Sequence, residues 1–186
     1  LVSVIGGHFN AAEYCVKLDG FNQSQIIGAH MSRPGGEFTY GWTGVRLINS
    51  LNTDILGGKI LTETVATPSV GDMVGIYLSG DSWYSRINTA FIGAITGGYK
   101  PMTKGIHMDT GVQGTKISPS ITNSGIVTTL IDDDSGNTTN VVATGVTFRE
   151  GATLRSPVGG GTEIAFADAD FNVAQSGSAI SVTKTP

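Results

Sequence analysis

The stretch Gly44-Val-Arg-Leu-Ile-Asn-Ser-Leu-Asn-Thr-Asp-Ile-Leu-Gly-Gly-Lys-Ile60 decides the reading of this chain. It holds two short runs, Gly44-Val-Arg-Leu47 and Leu56-Gly-Gly-Lys-Ile60, whose starts are 12 residues apart. The first run returns as Cys15-Val-Lys-Leu18, Gly75-Ile-Tyr-Leu78 and Gly105-Ile-His-Met108. Twelve residues after each start stands an apolar anchor: Ile27, Leu56, Ile87 and Ile117. A second apolar residue follows four positions on: Met31, Ile60, Phe91 and Ile121. The starts themselves lie 29, 31 and 30 residues apart. Fixed spacing inside a unit, with a variable return between units, points to stacked coils carrying one loose loop each.

Both runs read as strands, because apolar and polar residues alternate with period two. The first run predicts Val16, Leu18, Val45, Leu47, Ile76, Leu78, Ile106 and Met108 facing inward. Lys17, Arg46, Tyr77 and His107 then face outward. The glycines at 44, 75 and 105 suit a bend or a close backbone approach. The second run recurs as Ile5-Gly-Gly-His-Phe9, Ile27-Gly-Ala-His-Met31, Ile87-Asn-Thr-Ala-Phe91 and Ile117-Ser-Pro-Ser-Ile121, with Val142-Ala-Thr-Gly-Val146 as a sixth copy. Its first and fifth residues are expected inside and its fourth outside, which puts His8, His30 and Lys59 in one outward column. A further coil is expected to open at Gly125. One coil of about 30 residues cannot bury its own apolar side chains, so neighbouring coils must stack like residue over like.

The bulk composition fits this reading. Only 14% of residues are charged against 39% hydrophobic, so Ser, Thr, Asn and Gly carry the polar surface. Glycine, 27 of 186 residues, is about twice its average usage, which disfavours long helices. A formal charge of −4 lacks the basic footprint of a nucleic-acid binder. One cysteine excludes an intrachain disulfide framework, and Cys15 reads as a small buried hydrophobe. No apolar run is long enough to span a membrane as a helix. No initiator Met or signal-peptide pattern opens the chain, so a fragment of a larger protein is expected. Walker, dinucleotide-binding, zinc and nucleophile-elbow motifs are all missing, and no cofactor or metal is expected.

The Gly-Val/Ile-x-Leu/Met runs at 44, 75 and 105, with the Ile/Leu-Gly-Gly/Ala-x-apolar runs at 5, 27 and 56, resemble the right-handed parallel β-helix of the pectate-lyase-like superfamily. Within it, the chain is similar to the shaft of bacteriophage tailspikes and capsule depolymerases. The resemblance covers residues 1–148 and implies an all-β solenoid of five to six coils. Residues 149–186, where the register is lost, are then a C-terminal cap or an oligomerisation segment. It further implies a homotrimer in the virion tail or outside the cell that binds, or binds and cleaves, a bacterial surface polysaccharide. A cellular polysaccharide lyase or glycoside hydrolase of the same fold, and a non-catalytic structural or adhesive shaft, stay open beside it.

Candidate site residues follow from the stacking. Lys17 and Arg46 would hold the carboxylates of an acidic polysaccharide. In a lyase, Tyr77 or His107 would remove the proton while a cation stabilises the uronate. In a hydrolase, Asp81 and Asp109, just past two adjacent first strands, would serve as paired carboxylates. Asp19 shares the Asp109 position lower in the stack, and Glu37 and Glu63 are further carboxylates. Trp42, Trp83, Tyr84, Tyr40 and Tyr99 fall in or beside loops and suit the apolar face of a sugar ring. Asp132, Asp133 and Asp134 read as a solvated turn without a calcium-loop pattern. The plain alternative for the row is a solvated face, for the aspartates turn formation, and for the aromatics packing onto the shaft.

Overall fold

Strand chemistry is densest where β-branched and aromatic residues alternate with polar ones, and there the longest strands form. The computed structural model describes residues 1–33, 41–62, 72–89, 91–94, 102–118, 129–137, 139–142, 146–148, 153–155, 163–165, 171–176 and 179–184. In chain order the elements are β1 (Ser3–Ile5), β2 (His8–Asn10), β3 (Tyr14–Asp19), β4 (Gln25–Ile27), β5 (His30–Arg33), β6 (Trp42–Ile48) and β7 (Asp54–Leu56). Then come β8 (Lys59–Thr62), β9 (Met73–Ser79), β10 (Arg86–Asn88), β11 (Phe91–Ala94), β12 (Lys104–Met108), β13 (Lys116–Ile117) and β14 (Thr129–Asp133). The last are β15 (Val141–Val142), β16 (Val146–Phe148), β17 (Thr153–Arg155), β18 (Glu163–Ala165), β19 (Phe171–Ser176) and β20 (Ala179–Lys184). No helix occurs among the described residues.

From β1 to β12 the chain visits three sheets in turn, and strands pair in parallel with those three elements away. The first sheet runs β1-β4-β7-β10-β13-β15 and the second β2-β5-β8-β11. The third runs β3-β6-β9-β12-β14-β17, with β18 antiparallel at its edge. A separate antiparallel sheet joins β16, β19 and β20. The parallel part is compatible with an all-β parallel solenoid. We call one pass through the three sheets a rung.

The third sheet keeps the expected register: Val16, Val45, Ile76 and Ile106 stack, as do Leu18, Leu47, Leu78 and Met108. All eight side chains are buried in one core cluster. Each contributes roughly 2 kcal/mol of burial. Cys15 is only half-buried; its thiol donates to the carbonyls of Phe9 and Ser32 at 3.4 and 3.5 Å. Burial pushes that thiol up to about 11.

The second run behaves differently from the expectation. It is not one strand but two, broken where Gly6, Gly28 and Gly57 take positive φ (63°, 64° and 62°). The anchors also slip by one residue. Pairing stacks Ile26, Ile55, Ile87, Ile117 and Val142, so Ile27 and Leu56 point away from the column expected of them. Ile5 is 73% exposed. On the next strands Met31 and Ile60 are inward as expected, and their partner is Ile92, with Phe91 opposite Lys59. The cause lies in the turns. Leu47 pairs with Leu78, and Leu51 lies opposite Trp83. The same stretch of turn therefore takes four steps on one rung (47 to 51) and five on the next (78 to 83). Two adjacent apolar residues at 26–27 and 55–56 hid the shift, because either one satisfies a fixed spacing.

The glycines of the first run serve close approach, not a positive φ. A Cβ on Gly44 would sit 2.4 Å from Ile60 Cγ2 and 2.7 Å from the Gly75 carbonyl oxygen. On Gly75 it would meet the Gly105 carbonyl oxygen at 2.5 Å and Ile92 Cγ2 at 2.6 Å. Both lie inside strands β6 and β9, where the second sheet presses against the third.

Candidate functional site

The outward row of the third sheet forms one residue per rung. Lys17 pairs in register with Arg46, Arg46 with Tyr77, Tyr77 with His107, and His107 with Asp132. Exposure falls along it: Lys17 is exposed, Arg46 and Tyr77 are half-buried, and His107 is 7% exposed. The Arg46 guanidinium lies over the Tyr77 ring, 3.4 Å from its centroid. That is cation–π geometry. Its Nη2 donates to Ser79 Oγ at 3.2 Å. The Tyr77 hydroxyl donates to Asp109 Oδ2 at 3.0 Å, and the His107 ring meets Tyr77 edge-on at 4.6 Å. Lys17 turns toward the Tyr14 ring, 5.6 Å from its centroid.

Farther along the row, Asp132 Oδ2 receives two groups, Lys104 Nζ at 2.8 Å and His107 Nδ1 at 3.0 Å. The histidine contact is close but not aligned as an in-line hydrogen bond. Burial alone would raise the Asp132 carboxyl; His107 and Lys104 outweigh it and hold it well below the usual carboxylate range. Burial likewise pulls Lys104 down, and Asp132 more than restores it. Asp109 is lowered chiefly by the Thr110 backbone N–H, which donates at 2.8 Å, against burial and with help from Tyr77. His107, Asp132 and Asp134 bring ligand atoms within 4.8 Å of one another. Lys104 on Asp132 supplies the charge a cation would otherwise bring.

A groove of about 400 Å³ opens beside the row. Arg46, Tyr77, His107 and Lys104 line it with Glu13, Tyr14 and Asp72. Lys104 also lies 3.9 Å from Asp72. The groove thus mixes two cations, two carboxylates, aromatic rings and hydroxyl groups, which suits a polar ligand.

Other expected residues fall elsewhere. Trp42 is not a surface aromatic: it is the first residue of β6, 1% exposed, and belongs to the core cluster beneath the groove. Its indole fills the core wall between Cys15 and Gly44. Asp81 sits in the exposed turn after β9, where its backbone N–H donates to Asn49 Oδ1 at 3.1 Å. The register puts Asp109 one residue past the Leu78–Met108 pair, and Asp81 three past it, so the two aspartates are not equivalent positions. Trp83 and Tyr84 lie on the turn leading into the first sheet, away from the row; Trp83 Nε1 donates to the Gly111 carbonyl at 3.0 Å. His8 and His30 stack at 4.3 Å with rings 12° apart, and His8 Nε2 pairs with Ser32 Oγ at 2.9 Å. Glu37, Glu63, Tyr40, Tyr99, Ile121 and the coil start expected at Gly125 lie outside the described residues.

Asp132–Asp134 is not the solvated turn expected of three aspartates. Asp132 and Asp133 end strand β14 and are buried, because Ile131 pairs with Ile106 and draws the strand into the third sheet. Asp132, Lys104, Asp72 and Glu13 escaped the sequence reading as site residues. A signal did exist: Ile131 repeats the apolar position that Ile106 holds, which places Asp132 next in the row after His107.

No protein-family model matches the sequence, and no curated protein or solved structure matches it either.

Proposed function

We propose that the chain is a segment of a right-handed parallel β-helix of the tailspike type, and that its third sheet binds an acidic bacterial surface polysaccharide. The observation that carries this reading is the outward row Lys17–Arg46–Tyr77–His107 beside the groove, one side chain per rung. Rungs recur at about 4.8 Å, so the row offers a polymer several contacts along its length. Arg46 has its face on Tyr77 and keeps edge N–H groups for a carboxylate. On this reading residues 149–186 cap the shaft or join three chains into a homotrimer in the virion tail.

Binding without cleavage is the form of this reading we favour. A proton acceptor must come within hydrogen-bond reach of the proton it takes. His107 is nearly buried and its Nδ1 faces Asp132. Asp109, held ionised by Thr110 and Tyr77, is a poor proton donor to a leaving group.

Titration calorimetry with oligogalacturonate and its methyl ester tests this. The free acid is expected to bind and the ester to bind weakly. Arg46→Ala is expected to weaken binding about tenfold. Unchanged affinity in both Arg46→Ala and Tyr77→Ala sinks the row as the binding face. Incubation with capsule or lipopolysaccharide is expected to release no product. Unsaturated products absorbing in the ultraviolet would make the protein a lyase, and new reducing ends alone a hydrolase.

A further inference from the structure

A second groove, of about 340 Å³, lies on the turn into the first sheet and is lined by Asn52, Asp54, Tyr84, Arg86, Gly114 and Lys116. Its centre is a strained aromatic. The turn residues Gln23, Asn52, Tyr84 and Gly114 stack on successive rungs, all in the left-handed region with φ between 52° and 65°. Glycine and asparagine take that conformation readily; tyrosine does not, and such strain concentrates at functional positions. Tyr84 is nonetheless 58% exposed, so core packing does not explain it.

The ring is supported from below. A Cβ on Gly114 would stand 2.5 Å from Tyr84 Cδ1 and 2.9 Å from Cε1, so the ring occupies the space that any side chain at 114 would need. Gly114 is itself fixed, its N–H donating to Thr139 Oγ1 at 2.8 Å. Two cations share the groove with the ring. Arg86 Nε and Nη2 are tied to Asp54 in a two-pronged pair, with Nε–Oδ1 at 2.6 Å. The guanidinium has five N–H donors, so this pair does not exhaust it. Lys116 is exposed and stands next to Arg86 in the sheet register. The patch carries Arg86, Lys116 and Asp54, a net of one positive charge on a chain whose formal charge is −4.

We infer that Tyr84 on Gly114, with Arg86 and Lys116, is a second glycan subsite: the ring stacks on the apolar face of a sugar and the cations take its carboxylate. This rests on the glycan-binding reading above but uses a different sheet and none of the residues of the row.

Calorimetry with oligogalacturonate and its methyl ester, on wild type, Tyr84→Asn, Lys116→Gln and Arg46→Ala, tests it. Asparagine keeps the left-handed backbone without strain. Tyr84→Asn is therefore expected to hold or raise Tm while weakening binding about tenfold. Lys116→Gln is expected to narrow the preference for the free acid over the ester. A lower Tm in Tyr84→Asn would assign the ring to packing and overturn the proposal, as would unchanged binding. Loss in Arg46→Ala with Tyr84→Asn intact overturns the subsite and leaves the groove reading. Loss in Tyr84→Asn with Arg46→Ala intact does the reverse. A wild-type protein that binds neither probe overturns both.

Discussion

Asp132 gathers Lys104 and His107 on a single carboxyl oxygen in a buried place. Taking the carboxylate away removes the 2.8 Å partner of a half-buried ammonium and leaves it, among the described residues, the attraction of Asp72 and Asp134. Asp132→Asn is expected to cost about 3 kcal/mol in urea unfolding at neutral pH. Burial pushes the Asp132 carboxyl up, His107 and Lys104 pull it further down, and its folded value ends below the unfolded one of about 3.9. The stabilisation is therefore complete above that unfolded value and is lost as pH falls through the folded one. Asp132→Asn should flatten the acid limb of stability against pH; an unchanged limb would show that the pair does not govern it. Its neighbour Asp133 works in the opposite sense. Burial raises its carboxyl, so its penalty is present at neutral pH and is relieved as pH falls toward the unfolded value.

Within the elements, β6 and β9 depend on glycine because a carbonyl of the next rung and an isoleucine of the second sheet leave no room. Gly75→Ala is expected to lower stability by about 2–3 kcal/mol through overpacking. Gly20→Ala faces open space and bears only the strain of its positive φ, so it should cost about 1 kcal/mol. Equal urea midpoints for the two variants would remove close approach as the cause. The inward residues of β3, β6, β9 and β12 were legible in the sequence because strict alternation allows one reading. The first sheet was not, since the pairs Ile26–Ile27 and Ile55–Leu56 each offer two apolar residues for one inward place. The row Lys17–Arg46–Tyr77–His107 was legible for the same reason as its inward neighbours. Asp132 and Lys104 were not, because a run of three aspartates reads as turn chemistry until pairing places Ile131 over Ile106.

Across the whole molecule, β1, β2 and β3 each present one edge without a partner among the described residues. The exposed large apolar side chains Leu1, Ile5, Tyr14 and Phe21 gather on this first rung. Parallel edges with apolar side chains are templates for another chain. In the 186-residue segment by itself, Ile5→Lys is expected to reduce concentration-dependent association in sedimentation without lowering Tm; unchanged sedimentation would show that these edges do not pair. The three-element pairing rule has one more consequence. Because β4 to β10 each pair with the strands three before and three after them, the protein can change length by whole storeys. Excising residues 49–79 would take out β7, β8 and β9 together and let β6 close directly onto β12. Arg46 would then lie beside His107 with no ring between them, so the same frame would carry a different pocket.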